Sequence, residues 1–183
     1  MPATPEQSHG PVAFLDRDGT INHPAAPGEY IESWDEFRFL PRAPEAIGLL
    51  RKAGMRIVVV TNQRGVALGR MSAESVEDLH HRMAAELAER GVVLDAVYYC
   101  PHALERCDCR KPQPGMLLRA ARELPDMDLE RSVMIGDSST DMEAGARAGC
   151  RRILIAATGS EPAPVGVDHV APSLWDAAVW LTG

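Results

Sequence analysis

The tightest constraint on the fold lies in nine residues, Val12-Ala13-Phe14-Leu15-Asp16-Arg17-Asp18-Gly19-Thr20. An apolar run without polar alternation marks a strand covered on both faces, and this one stops abruptly in two carboxylates one residue apart. A buried parallel strand presents its ligand chemistry at its carboxyl end, in the crevice beyond the sheet edge. If strand geometry persists through Asp18, alternation sends both acids to one face, and Gly19 lets the backbone turn away behind them. Two carboxylates so placed suit a divalent cation and a phosphate ester. The competing readings are an Asp-Gly turn and a calcium loop, but Pro27 stands where the calcium loop needs its Glu.

Further strand ends repeat the pattern. Arg56-Ile57-Val58-Val59-Val60 is a β-branched run that ends in Thr61-Asn62-Gln63. There the Thr61 hydroxyl and backbone N–H can meet a phosphoryl oxygen, Asn62 adds an amide donor, and Gln63 joins them as a substrate contact. Arg131 to Gly136 forms another strand leading to Asp137, whose carboxylate can complete an octahedral Mg²⁺ site with Asp16 and the Asp18 carbonyl. Asp141 then starts a helix as its cap and as an outer hydrogen-bond acceptor. Leu94–Tyr99, Arg152–Ile155 and His169–Val170 are the remaining strands. Helices are expected over Ala43–Ala53, from Ser72 to Gly91, over Pro114–Leu124 and over Ser173–Leu181, from apolar stripes at helical spacing bounded by caps and glycines. Alternating strands and helices call for a doubly wound parallel sheet, so all the acidic and hydroxyl groups named converge on one edge.

Two segments stand outside that rhythm. Ile21 to Arg42 is rich in Pro and Gly and is expected to loop over the carboxyl edge. Glu29 and Tyr30 are its candidate substrate contacts, while Tyr30, Trp34, Phe37 and Phe39 can equally pack the loop down. Cys100-Pro101-His102-Ala103-Leu104-Glu105-Arg106-Cys107-Asp108-Cys109 places three of the four cysteines and an imidazole within ten residues. Cys100, His102, Cys107 and Cys109 can close a tetrahedral Zn²⁺ site with no open position, which marks a structural ion. A Cys107–Cys109 disulfide is the alternative, and its ring would be strained. His80 and His81 lack a ligand partner at suitable spacing and read as surface residues. Cys150 reads as a buried thiol. Directly after the cysteines, Lys111 can neutralise a phosphoryl group and the paired carboxylates, leaving Arg110 to grip a second anion.

The chain of 183 residues fits one domain over 12–183 behind a disordered lead at 1–11. With 45% hydrophobic and 25% charged residues it has an ordinary globular composition. A net charge of −7 argues against nucleic-acid or anionic-membrane partners, so an anionic ligand needs a local positive site. No basic start followed by an apolar core precedes Val12, and no apolar run approaches a membrane span, so a cytoplasmic monomer is expected.

Asp16-Arg17-Asp18-Gly19-Thr20-Ile21-Asn22 resembles the first motif of the haloacid dehalogenase-like (HAD-like) phosphohydrolases, and Thr61-Asn62-Gln63 resembles the second. The segment Cys100 to Pro112 is similar to the Cys-x-His…Cys-x-Cys-Arg-Lys-Pro loop of the heptose bisphosphate and histidinol-phosphate phosphatases. The resemblance spans about Val12 to Leu181 and implies a Rossmannoid sheet without a large cap domain, the zinc loop taking part of the cap's place. It also implies that Asp16 attacks phosphorus and Asp18 serves as acid and base, with Thr61 and Lys111 in the catalytic set and Mg²⁺ as cofactor. The implied substrate is a small phosphorylated metabolite, a heptose 1,7-bisphosphate losing its 7-phosphate, with histidinol phosphate as the alternative. Two features depart from the heptose pattern: only four residues separate His102 from Cys107, and Ser138 replaces a Lys. A receiver-like signalling domain and a silent zinc-stapled binding module are the non-enzyme alternatives.

Overall fold

The computed structural model describes residues 10–104, 107–157 and 165–183. Most of the expected N-terminal lead, and most of the loop expected at 158–166, lie outside the described residues. The elements alternate as β1 (Val12–Leu15), α1 (Ala43–Lys52), β2 (Arg56–Asn62), α2 (Ala73–Glu89), β3 (Ala96–Cys100), α3 (Gly115–Glu123), β4 (Val133–Gly136), α4 (Ser139–Ala148), β5 (Arg151–Ile155), β6 (His169–Ala171) and α5 (Leu174–Thr182). Six strands pair in the order β3-β2-β1-β4-β5-β6, all parallel. The winding reverses between β1 and β4, so the crevice expected to hold ligand opens between their carboxyl ends.

Side-chain alternation along β1 distributes the two halves of the core. Ala13 and Leu15 pack with Ile47 and Leu50 of α1, Met83 and Leu87 of α2, and Ala177 and Ala178 of α5. Val12 and Phe14 pack instead with Met116, Leu117 and Ala120 of α3 and with Ala144 and Ala148 of α4. All four β1 side chains have 0% exposure, as a strand covered by helices on both faces requires. Burying each large aliphatic side chain contributes about 1.5–3 kcal/mol, which holds a four-residue strand rigid enough to aim the acids that follow it.

Several boundaries differ from the sequence expectation. Thr61 and Asn62 belong to β2, because their backbones pair with Tyr99 and Cys100 of β3. β3 starts at Ala96 and runs into the first cysteine, while β4 starts only at Val133. Ser138, not Asp141, caps α4: its hydroxyl accepts from the Asp141 N–H, and the Asp141 carboxylate accepts from the Ser138 backbone N–H at 3.0 Å. His80 is buried at 6% exposure, contrary to the surface reading, whereas His81 is exposed. Cys150 is buried as expected. Between β1 and α1 the chain forms no named helix or strand, only isolated bridges joining Asn22 to Asp18 and to Phe39. Trp34, Phe37 and Phe39 pack against one another there, with ring centroids 4.9 and 5.0 Å apart. No helix among the described residues is long and apolar enough to cross a membrane.

Candidate active site

Asp16 leaves β1 next to β4, its backbone N–H bonded to Ile135 at 2.9 Å. From the other side comes Lys111. Its ammonium lies 2.6 Å from Asp16 Oδ1, 2.6 Å from Asp141 Oδ1 and 2.8 Å from the Val60 carbonyl, one acceptor for each of its three protons. Lys111 is 3% exposed. Burial alone would push its pKa down, but the Asp16 and Asp141 carboxylates outweigh it, so the side chain stays an ammonium. Burial likewise pushes the Asp16 carboxyl up, opposed by Lys111 and reinforced by Asp141 and Asp18.

Lys111 is held where it is by the end of β2. Asn62 Nδ2 donates to the Lys111 carbonyl and Lys111 N donates to Asn62 Oδ1, each at 3.0 Å, a reciprocal pair that substitutes for a strand bridge. Gln63 Nε2 donates to Thr61 Oγ1 at 2.8 Å and to Asp18 Oδ2 at 3.0 Å. The amides expected to face substrate are thus engaged within the protein, one orienting Lys111 and the other tying Thr61 to Asp18. Glu29 is ion-paired with Arg70 at 2.6 Å on the exposed surface, and the Tyr30 ring lies over the Gly65 backbone.

Asp18 accepts from Arg17 in a fork, from Asn22 at 2.9 Å and from Gln63. Burial would raise its carboxyl, but the Arg17 charge and these hydrogen bonds prevail and hold it below the usual carboxylate range. Gly19 follows with φ +87°, and a Cβ built there would stand 1.9 Å from Asp137 Oδ2. Only glycine lets the β1 loop and the Asp137 carboxylate share this crevice. Arg17, His80 and the pairing of Asp141 with Lys111 are site features that the sequence reading missed. The capping pattern Ser138-x-x-Asp141 was the available signal for the last of these, since it turns the Asp141 side chain back toward the sheet edge.

Carboxylate oxygens of Asp16, Asp137 and Asp141 lie within 4.8 Å of one another. Four acids meet here, Asp16, Asp18, Asp137 and Asp141, against two cations, Lys111 and Arg17. Four minus two leaves two negative charges, the deficit that one divalent cation with oxygen ligands would fill. The second cluster is softer. Cys100, His102, Cys107 and Cys109 offer ligand atoms within 4.8 Å of one another, and all three thiols are free. Cys100 Sγ lies 3.5 Å from Cys107 Sγ and 3.6 Å from His102 Nδ1, and that nitrogen lies 3.3 Å from Cys109 Sγ. These spacings approach the edges of about 3.5–3.8 Å that a tetrahedron of Zn–S and Zn–N bonds would have. The loop is seated on α3: Gly115 N–H donates to the Asp108 carbonyl at 3.0 Å, and a Cβ on Gly115 would meet that oxygen at 2.3 Å. Beside Lys111 opens a cavity of about 380 Å³ lined by Asn62, Leu104, Cys107, Arg110, Gln113 and Thr140. The Arg110 Nη1 is buried and finds no hydrogen-bond partner among the described residues.

The charge excess gives a pH signature. Burial first, then the Asp141 carboxylate, raises Asp137 from 3.8 to about 6, with Lys111 opposing. A carboxyl whose folded value lies above its unfolded one adds stability below the unfolded pKa and loses it as pH rises through the folded pKa. In metal-free buffer the Asp137→Asn chain should therefore melt higher than its parent near about pH 8, the advantage fading toward about pH 4, where both carry a neutral group. Thermal melts of the two proteins across that range test this, and a pH-independent difference would contradict it.

The family model described as HAD-hydrolase-like matches residues 108–177. The chain is 42% identical to the D-glycero-alpha-D-manno-heptose-1,7-bisphosphate 7-phosphatase of Mycobacterium bovis, over 91% of this chain and 88% of that one. It is 46% identical to the D-glycero-beta-D-manno-heptose-1,7-bisphosphate 7-phosphatase of Photorhabdus laumondii, over 81% of each. Its fold superposes on the D,D-heptose 1,7-bisphosphate phosphatase of B. bronchiseptica, solved with magnesium and phosphate, with a TM-score of 0.82 and 35% identity over 93% of this chain and 97% of that one. With the acid pair, strand-end threonine, buried lysine and Cys/His loop all on one sheet edge, the chain belongs to the HAD-like phosphatases, in the branch of the heptose-1,7-bisphosphate 7-phosphatases.

Proposed function

We propose that residues 12–183 act as one phosphatase domain that removes the 7-phosphate of a D-glycero-D-manno-heptose 1,7-bisphosphate. The observation that carries this reading is Arg110, which lines the cavity beside Lys111 and has one guanidinium nitrogen, Nη1, without a hydrogen-bond partner among the described residues. Lys111 is committed to the reacting group, so Arg110 is free for a second anion at the far end of the substrate. Histidinol phosphate would bring a cation to the same place, where Arg110 repels it.

The chain's own residues account for the reaction. An Asp16 carboxylate oxygen bonds to phosphorus as the bond to the sugar oxygen breaks, giving an aspartyl phosphate. Lys111 and the Thr61 hydroxyl offset charge on the equatorial oxygens. Asp18 gives its proton to the departing alkoxide and then takes one from the water that cleaves the aspartyl phosphate, freeing Asp16 and inorganic phosphate. At rest Asp18 is a carboxylate, the form the second step needs, and an arriving phosphate dianion favours the protonated form that the first step needs. Asp16 and Asp137 with the Asp18 carbonyl would hold Mg²⁺, which would supply Lewis-acid neutralisation of the phosphoryl oxygens. Cys100, His102, Cys107 and Cys109 would hold a structural Zn²⁺, keeping Arg110 and Lys111 in place. A reducing cytoplasm suits these thiols, and a monomer contains every group named.

The decisive comparison is kcat/KM for both anomers of heptose 1,7-bisphosphate against histidinol phosphate, in Mg²⁺, with the parent, Asp16→Asn and Arg110→Ala. Asp16→Asn should keep less than about one percent of turnover, because an amide is a poor nucleophile. The parent should prefer the bisphosphate by at least about tenfold, and Arg110→Ala should erase that preference. A preference for histidinol phosphate, or an Arg110→Ala chain of full efficiency, overturns the substrate assignment. Elemental analysis of protein purified without chelator should give about one zinc per chain, and its removal should lower activity through the loosened 110–112 segment. Metal-free protein with intact thiols and full activity would refute the zinc assignment.

A further inference from the structure

α2 carries two adjacent histidines that part company: His81 faces outward, whereas His80 turns into the protein beneath the first motif. The His80 ring stands edge-on to Tyr99 with centroids 5.6 Å apart, and its Nε2 lies 3.1 Å from Arg17 Nη1. Arg17 has no exposure to solvent. Its Nε donates to Asp18 Oδ1 at 3.2 Å, and its Nη2 donates to Oδ1 at 3.0 Å and Oδ2 at 2.9 Å. One edge of the guanidinium is thereby spent on Asp18, and the opposite corner is spent on His80. A guanidinium offers donors only, so the imidazole must accept through Nε2 and carry its proton on Nδ1. Burial and the adjacent Arg17 charge keep His80 neutral, its pKa pushed down to about 3, so this acceptor persists at any physiological pH.

The planar fork transmits orientation. With both ends of the guanidinium fixed, its plane cannot turn, and neither can the carboxylate that lies against it. Without an acceptor at Nη1, a fully buried corner of Arg17 is left unsatisfied, and the guanidinium turns from its present plane to recover a partner. We infer that His80 is a positioning residue for the phosphatase reaction: by accepting from Arg17 it locks the fork that aims the Asp18 carboxyl at the leaving oxygen. This rests on the acid/base reading of Asp18 given above. Asn22 and Gln63 hold the same carboxylate independently, so loss of His80 displaces Asp18 without freeing it. A loss of about tenfold is expected, less than the ~100-fold that a full ångström of misplacement can cost.

Side-chain isosteres separate positioning from mere packing. Glutamine places Oε1 where the imidazole has Nε2, whereas asparagine ends where it has Nδ1 and cannot reach Arg17. The holoenzyme and its His80→Asn and His80→Gln variants are compared by single-turnover release of the leaving group from heptose bisphosphate and from p-nitrophenyl phosphate. Circular dichroism establishes that each is folded, and His80→Ser replaces His80→Asn if that chain does not fold. The expected result is an about tenfold slower step for His80→Asn on the sugar ester at unchanged half-saturation. A smaller loss is expected on the nitrophenyl ester, whose leaving group needs little proton assistance, with recovery to within about threefold in His80→Gln. Equal losses on both esters, a glutamine variant no better than asparagine, or rates within twofold of the parent throughout would overturn the inference. Asp18→Asn is measured alongside. If it keeps turnover, the acid/base reading fails and takes this inference with it; if it loses turnover while the His80 variants keep theirs, the His80 inference alone falls.

Discussion

The Lys111 ammonium, enclosed by the Asp16 and Asp141 carboxylates at 2.6 Å each, is the charge on which the rest of this sheet edge depends. A lone buried ammonium would be prohibitive, and a buried pair broken on one side commonly costs about 3–5 kcal/mol. The neighbouring structure therefore serves to deliver this group. Asn62 clasps its backbone, the Val60 carbonyl takes its third proton, and the Cys/His loop fixes the chain just before it. Because Lys111 takes one oxygen from each of Asp16 and Asp141, the acid that follows β1 and the acid in the first turn of α4 are held to one cation.

α4 shows how closely local folding and chemistry are joined. The same Asp141 that completes the capping box with Ser138 also faces Lys111, so one side chain serves both the start of the helix and the site. Arg17 has a comparable double character: it is the most deeply buried charged residue among the described residues, and its counter-charge is the acid beside it. The crevice thus holds one carboxylate paired with Arg17, two that share Lys111, and Asp137, which has no cation of its own among the described residues and sits where Gly19 leaves room for it.

Much of this was legible in the sequence, because its signals are local. Strand ends rich in Asp and Thr, the cysteine spacing and helical stripes each speak for themselves over a few residues, and the element order and the convergence of Asp16, Thr61, Lys111 and Asp137 on one edge follow from them. What could not be read were partnerships across the sheet. His80 looked like a surface residue because its neighbour His81 is one and no ligand spacing flanked it; only the packing of α2 over β3 turns it toward Arg17. Asn62 and Gln63 looked like free amides because Lys111 and Asp18, to which they donate, are 49 and 45 residues away. Asp141 was read as the cap of α4, the place that Ser138 takes, and not as a neighbour of Lys111, for the same reason.

The separation along the chain of the groups that touch has a kinetic meaning. Lys111 and Asp16 are 95 residues apart, and they meet only once β1 lies between β2 and β4. Closing so long a loop is entropically costly and slow compared with forming any single helix. During synthesis the second half of the acidic cluster emerges after the first, so a chain still lacking the residues beyond about 130 carries Asp16 and Lys111 but neither Asp137 nor Asp141. Catalytic competence is in that sense a late property of the growing chain, one that no early folding unit can acquire by itself.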